Sequence, residues 1–510
     1  SSRTKLNNLF APSLVWPMEA YQLTATQVLA RFRDGSLTVE EYARSLLSRI
    51  EQRDATVKAW AYLDPDYVIK QARALDQTPA EQRGPLHGVA IAVKDVIYTK
   101  GKRGPPPDAH WYLLTCAAFL PSFTRHAHSV QLAHLRRVCA KGRCSIHRHT
   151  TQSGRAAAGY ASPPAGRLSG FVWTFDADGS PAGKTTTTEF AATTVGPKTS
   201  NPHDPTRTPG GSSSGSGAAV GDFQAPLGLG TQTGGSTIRP GSFNGIYAFK
   251  PTWNSISREG QKVYALLFDT LGLYARSVDD LELLADVFAL HDDTPPPPPE
   301  APFGVRGARF AMLKTVVWPQ VGAGTAAAMD KAAGLLRAHG AEVDEIELPP
   351  EFDDMPHYHR VVLHAEGRVS FLPEHRIAAD KLHGFLVGHV ENEHKYTRAE
   401  QLRAWDSMAA LRPKMDAIAA GYAAIITPSV PDEAPEGLES TGSANFCSSW
   451  TGLHTPTVNV PGFKGENGLP IGLTLVAARY NDRHLLTVSK AVGGIFEAEG
   501  GWNRNSSLGL

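Results

Sequence analysis

PGGSSSGSGAAVGDFQAPLGLGTQTGGSTIRPGSFNGIYAFKPT, residues 209–252, carries more than a flexible Gly/Ser linker needs. It contains an apolar, strand-like Pro226–Leu229 and closes on IYAFKPT, whereas a linker needs only small polar residues. Glycines let backbone amides approach a ligand closely, and successive amides in a tight loop form an anion-binding nest. A serine set in such a nest has an oxyanion hole ready beside it. Thr233-Gly234-Gly235-Ser236 is a segment of that kind.

Outward from this block the chain alternates between strand and helix signals. Upstream, Thr24-x-x-Gln27 and Thr38-x-x-Glu41 read as capping boxes. Val39, Tyr42, Ala43, Leu46, Leu47 and Ile50 then recur at helical spacing. Gly88 to Val93, GVAIAV, is an apolar run of strand length that ends at Lys94-Asp95. Downstream, Ser277 with Asp280 caps a helix bearing Val278, Leu281, Leu284 and Phe288. Strands are predicted at Phe310–Leu313, Val343–Ile346, Ala423–Ile426, Thr457–Val460 and Ile471–Val476, with a helix at about 326–339 closed by Gly340. The pattern predicts an α/β fold, a sheet with helices on its faces. Five consecutive prolines make residues 291–302 a stiff connector within the domain.

With 510 residues, 41% of them hydrophobic, the chain can build one large core. Lys plus Arg and Asp plus Glu are 50 each, which gives no sign of direct nucleic-acid binding. Four cysteines suit a reducing compartment, and no apolar run reaches the roughly 18 residues of a membrane span. The N-terminal residues lack the sustained apolar segment of a signal peptide, so a cytoplasmic protein is expected.

The motifs together resemble the amidase-signature hydrolases. The resemblance rests on Pro209-Gly210-Gly211-Ser212-Ser213, on Gly230-Thr-x-Thr-Gly-Gly-Ser236, and on the 24 positions from Ser212 to Ser236. Phe249-Lys250-Pro251-Thr252, Phe268-Asp269-Thr270-x-Gly272 and Ala275-Arg276-Ser277-Val278 add to it, as do Gly88–Asp95 and Gly468–Leu473. It spans about residues 20–101 and 183–495. The resemblance implies one amidase-signature domain over 1–510, with a large, mixed, twisted sheet covered by helices on both faces. It implies Ser236 as nucleophile, Ser212 in a cis peptide as bridging serine, Lys94 as the neutral base, and amides of Thr233, Gly234, Gly235 and Ser236 as oxyanion hole. An acyl-enzyme on Ser236 would then be cleaved by water. The lysine's role also makes physical sense: a lysine is a base only when burial lowers its pKa, and GVAIAV supplies apolar surroundings. Gln232 and Ile238 stand where the family commonly has Asp and Arg, and Arg239 lies one step further on.

No cofactor or metal is implied. The expected substrate is a small-molecule amide, with no nucleic acid bound directly, no membrane contact and the oligomeric state left open. The alternatives are a glutaminase-type subunit of a tRNA-dependent amidotransferase and a catalytically dead relative. The motive for the latter is the segment 102–182, which matches nothing in the family. From Ala109 to Phe175 it has no Asp or Glu, which random placement would give about once in a thousand. It also holds three of the four cysteines and six of the 19 histidines. It reads as sequence that need not encode native structure, and is expected to be poorly ordered or poorly packed.

Three rival motifs are weaker. Gly211-Ser-Ser213-Ser-Gly215 fits a nucleophile elbow, but follows Asp204-Pro-Thr-Arg-Thr-Pro-Gly instead of an apolar strand. Gly179 to Thr185 resembles a P-loop with one residue too few between its glycines. Cys139, Cys144, His147 and His149 lack the usual spacing of a zinc site.

Overall fold

The computed structural model describes residues 19–99, 182–292 and 303–510. The anomalous segment up to 181, the four Cys and His of the zinc-like motif, and residues 293–302 of the proline run lie outside them.

Eleven strands are described: β1 (Trp60–Leu63), β2 (Ile91–Val93), β3 (Gly183–Thr185), β4 (Leu227–Gln232), β5 (Tyr247–Lys250), β6 (Thr270–Ala275), β7 (Arg309–Leu313), β8 (Glu342–Ile346), β9 (Ala424–Pro428), β10 (Thr457–Lys464) and β11 (Pro470–Val476). Nine of them form one sheet in the order β2-β4-β6-β5-β10-β11-β9-β7-β8, while β1 and β3 pair antiparallel as a small ribbon. The sheet is mixed. β2/β4, β9/β7 and β7/β8 run parallel and the central pairs antiparallel.

Strand periodicity divides the core in two. Along β7, Phe310 and Met312 join one apolar cluster, and Ala311 and Leu313 join another. Along β9, Ala424 and Ile426 face the first cluster and Ile425 the second. The first cluster is completed by Leu281 and Leu284 of helix Val278–Val287, Met329 and Leu336 of Ala323–Ala338, and Leu485 and Phe496 of Asp482–Glu499. The second takes Val361 and Val362 of Met355–Ser370, Met408, Leu411 and Met415 of Arg398–Ala419, and Trp450 of Asn445–Gly452. Helices therefore cover both faces, which is the predicted α/β class. Each buried Leu or Phe in these layers stabilises the fold by about 1.5–3 kcal/mol.

Local signals hold where they were specific. Thr24 and Thr38 form their capping boxes, and Ser277 accepts from the Asp280 amide. The Asp280 carboxylate reaches further, accepting from the amides of Ala25 and Thr26 at 2.9 and 2.8 Å, so one side chain ties two helix starts together. The elbow-like Gly211–Gly215 follows irregular backbone, and Lys184 of the P-loop-like run lies in β3, paired with Asp95 at 3.1 Å. The helices Met355–Ser370 and Arg398–Ala419 stand outside the predicted set. Among the described residues no helix is long and apolar enough to cross a membrane.

Candidate active site

Lys94 follows directly on β2, whose parallel register with β4 pairs Ile91 with Leu227 and Val93 with Leu229. The Lys94 amide continues this ladder to the Leu229 carbonyl at 3.1 Å. The side chain is fully buried, and its Nζ donates to Ser212 Oγ at 2.7 Å and Thr231 Oγ1 at 2.8 Å. Burial pushes its pKa well below the usual lysine value, the Asp269 charge opposes this, and the Arg239 charge adds to it. The apolar strand therefore delivers an amine biased towards its neutral form against a serine hydroxyl.

Ser212 lies in the loop before helix Ser214–Gly221, and the Gly211–Ser212 peptide is cis. Gly210 adopts φ +80°, where glycine is favoured, and a Cβ on Gly211 would meet Thr441 Cγ2 at 2.4 Å. The Gly211 carbonyl accepts from Arg239 Nε and Nη2 at 3.2 and 2.5 Å. Ser213 Oγ accepts from the Thr231 amide and donates to its carbonyl, both at 3.3 Å, fastening this loop to β4.

The loop carrying Ser236 leads from β4 into helix Ile238–Phe243. Its four carbonyls are all held. Thr233 O accepts from His359 Nε2 at 2.8 Å, Gly234 O from Thr451 Oγ1 at 2.7 Å, Gly235 O from the Arg239 amide at 3.0 Å, and Ser236 O from Tyr274 OH at 3.1 Å. Among the described residues the amides of Thr233, Gly234, Gly235 and Ser236 donate to no protein acceptor. Burial lowers the His359 pKa to about 4, so the ring is neutral at pH 7, and its carbonyl partner places the proton on Nε2. Thr233 Oγ1 donates to Asp269 Oδ1 at 2.6 Å. Ser236 is part-exposed, whereas Lys94 and Ser212 are buried.

Gln232 takes up the support expected of an acid there. Its Oε1 accepts from the Thr237 and Ile238 amides at 2.9 and 3.0 Å, and its Nε2 donates to Thr451 Oγ1 at 3.0 Å. Arg239 turns instead to Gly211, so it braces the Ser212 loop. Sequence reasoning missed Thr451 and His359, which reach the loop from helices more than a hundred residues away. It quoted Asp269 and Arg239 without assigning them these bonds.

The family model described as Amidase matches residues 41–104 and 174–486, stepping over most of the carboxylate-free stretch. The GatA-type subunit of the glutamyl-tRNA(Gln) amidotransferase of Symbiobacterium thermophilum is 30% identical over 92% of this chain and 96% of its own length. Its counterpart from Chloroflexus aurantiacus is 32% identical over 69% of this chain and 66% of its own length. A crystal structure of an amidase superposes with TM-score 0.72 at 25% identity, covering 94% of this chain and all of that one. These names correct one expectation. A small-molecule amide as substrate, with no nucleic acid bound directly, does not stand beside relatives named as subunits of an amidotransferase for glutamyl-tRNA. The extent of these matches, joined to the nine-stranded sheet, shows that this chain is an amide-cleaving hydrolase belonging to the Amidase family.

Proposed function

We propose that the chain cleaves a carboxamide through an acyl-enzyme on Ser236, using Ser212 and Lys94 as the proton relay. The observation that carries this reading is the fully buried Lys94 amine, 2.7 Å from Ser212 Oγ. Neutral Lys94 takes the Ser212 proton as Ser212 takes that of Ser236, and Ser236 Oγ attacks the amide carbon. The amides of Thr233 to Ser236 receive the developing oxyanion; their carbonyls are already held, so little rearrangement is needed. The proton returns through Ser212 to the leaving nitrogen, which departs as ammonia or an amine. Water then attacks the ester by the same relay and frees Ser236.

A second level of the reading concerns assembly. The names of the relatives support a chain that works as the amide-cleaving component of an amidotransferase, releasing ammonia for a glutamyl-tRNA held with partner subunits. Ammonia release by the chain alone is compared with release by the chain co-purified with such partners and supplied with the charged tRNA. A rise of about tenfold or more supports the subunit role. Full activity alone, unchanged by partners, contradicts it. Ser236→Ala tests the chemistry at either level: a folded variant that keeps most of its activity overturns the nucleophile assignment.

A further inference from the structure

A cavity of about 250 Å³ lies among Thr252, Trp253, Leu267, Arg412, His454, Arg479 and Tyr480. Two guanidinium groups line it and, among the described residues, no carboxylate does. Arg412 is about nine-tenths buried. Its Nε donates to the Gly452 carbonyl at 3.1 Å, but its buried Nη2 finds no acceptor among the described residues. A charged nitrogen removed from water without an acceptor is destabilising, so this group calls for an anion. Burial, then the neighbouring Arg479 charge, lowers the Arg412 pKa to about 10, which still leaves it charged at pH 7.

The nearby acids are already engaged. Asp416 accepts from Arg479 Nε and Nη2 at 2.9 and 2.6 Å, and Asp482 accepts from the Thr252 amide and hydroxyl at 2.7 and 2.6 Å. His454 stacks on Trp253 with centroids 4.4 Å apart, and burial holds its imidazole neutral. Arg258 lies over Trp253 at 5.0 Å and adds positive charge at the aromatic wall. Tyr480 stands about half exposed at the rim, an aromatic surface beside the two arginines.

The geometry points to a phosphate site in this cavity, with Arg412 Nη2 as the charged donor, Arg479, whose charge Asp416 balances, along its side, and Trp253 and Tyr480 as walls for whatever carries the phosphate. Arginine suits phosphate because its planar fork places several donors on one oxyanion. The site is separate from Ser236. It touches the catalytic loop indirectly, through Gly452, the neighbour of the Thr451 that holds Gly234.

Isothermal titration of the full chain with inorganic phosphate, adenosine monophosphate and acetate, each at constant ionic strength in chloride, tests this. The expected result is saturable one-to-one binding of phosphate with a Kd of about 1 mM or tighter, and acetate at least about tenfold weaker. Arg412→Met weakens phosphate by at least about tenfold and Arg412→Lys by less. Tighter binding of the monophosphate than of phosphate supports a site for an esterified group; equal or weaker binding supports a site for the free ion. Where Arg412→Met does not fold, a phosphate-dependent change in tryptophan fluorescence, weakened in Arg412→Lys, takes its place. Absence of saturable phosphate binding, acetate binding as tight as phosphate, or undiminished binding by a folded Arg412→Met variant overturns the proposal.

Discussion

Among the described residues two lysines lie fully buried, Lys94 just past β2 and Lys250 at the end of β5, and they meet opposite surroundings. Lys94 Nζ is bonded to two hydroxyls, of Ser212 and Thr231. Lys250 Nζ is bonded to two backbone carbonyls, of Pro251 at 3.0 Å and of Thr455. Burial lowers the pKa of both, that of Lys250 to about 7. A hydroxyl both gives and takes protons, so it can pass one to a neutral amine. A carbonyl only accepts, so it holds the amine as a donor and offers no proton to move. Burial alone thus does not make a lysine a base; the chemistry of its partners decides. Lys250 reads as a pin between β5 and the chain entering β10, and Lys94 as the end of a relay.

The sharpest way to break this contrast is Lys94→Met. Amide hydrolysis should fall by at least about a thousandfold while the fold is kept, since the variant removes a buried amine that has no carboxylate partner among the described residues. Activity assays beside a urea melt check it, and a folded Lys94→Met enzyme with near-normal turnover would show that Lys94 is no base. Lys250→Met should do the reverse. Two carbonyls lose their donor, so stability should drop by about 1–3 kcal/mol, while kcat of the folded fraction stays within about threefold. A large loss of kcat without loss of stability would place Lys250 in the chemistry.

Thr451→Val tests the frame around the Ser236 loop. The variant keeps its shape but loses the bonds to Gly234 O and from Gln232 Nε2. A loop displaced by a fraction of an ångström should lower kcat roughly tenfold with KM little changed. The pH dependence of stability probes the same contrast. The folded pKa of Lys250 lies below its unfolded value of 10.5, so the unfolded chain holds more protons between about 7 and 10.5. Its contribution to stability therefore rises with pH across that window, by at most about 1.4 kcal/mol per unit, and this slope should vanish in Lys250→Met. Urea midpoints measured at several pH values resolve it.

The bonded pair Lys94 and Ser212 and the tight loop of Ser236 were legible because each sits in a short run whose glycines or apolar neighbours leave a local trace. The strands β7 and β9 were legible because each is a short apolar run, buried on both faces, although a run of that kind does not say which residue faces which cluster. Thr451 and His359 leave no such trace. A threonine inside Asn445–Gly452 and a histidine inside Met355–Ser370 become loop supports only when the second face of the sheet is packed, and nothing near them in the chain says so. The helix Arg398–Ala419 was legible in principle, since Ala404, Met408, Leu411, Met415 and Ala419 recur at helical spacing, but Pro413 interrupts the pattern. The partner expectation failed for a different reason. Net charge reports on this chain's own surface, and one component of a complex can serve a nucleic acid that another holds.

Everything proposed for the chemistry stands on neutral Lys94 activating Ser236 through Ser212. The most direct measurement is the rate at which an acylating amide or carbamate probe labels the chain, followed by mass spectrometry across pH in the wild type and in Lys94→Met. The relay predicts one label, on Ser236. Its rate should fall about tenfold per unit as pH drops below the lowered pKa of Lys94, and Lys94→Met should be labelled negligibly at every pH. Labelling of Ser236 at the wild-type rate in Lys94→Met, or a label on a different residue, would contradict it.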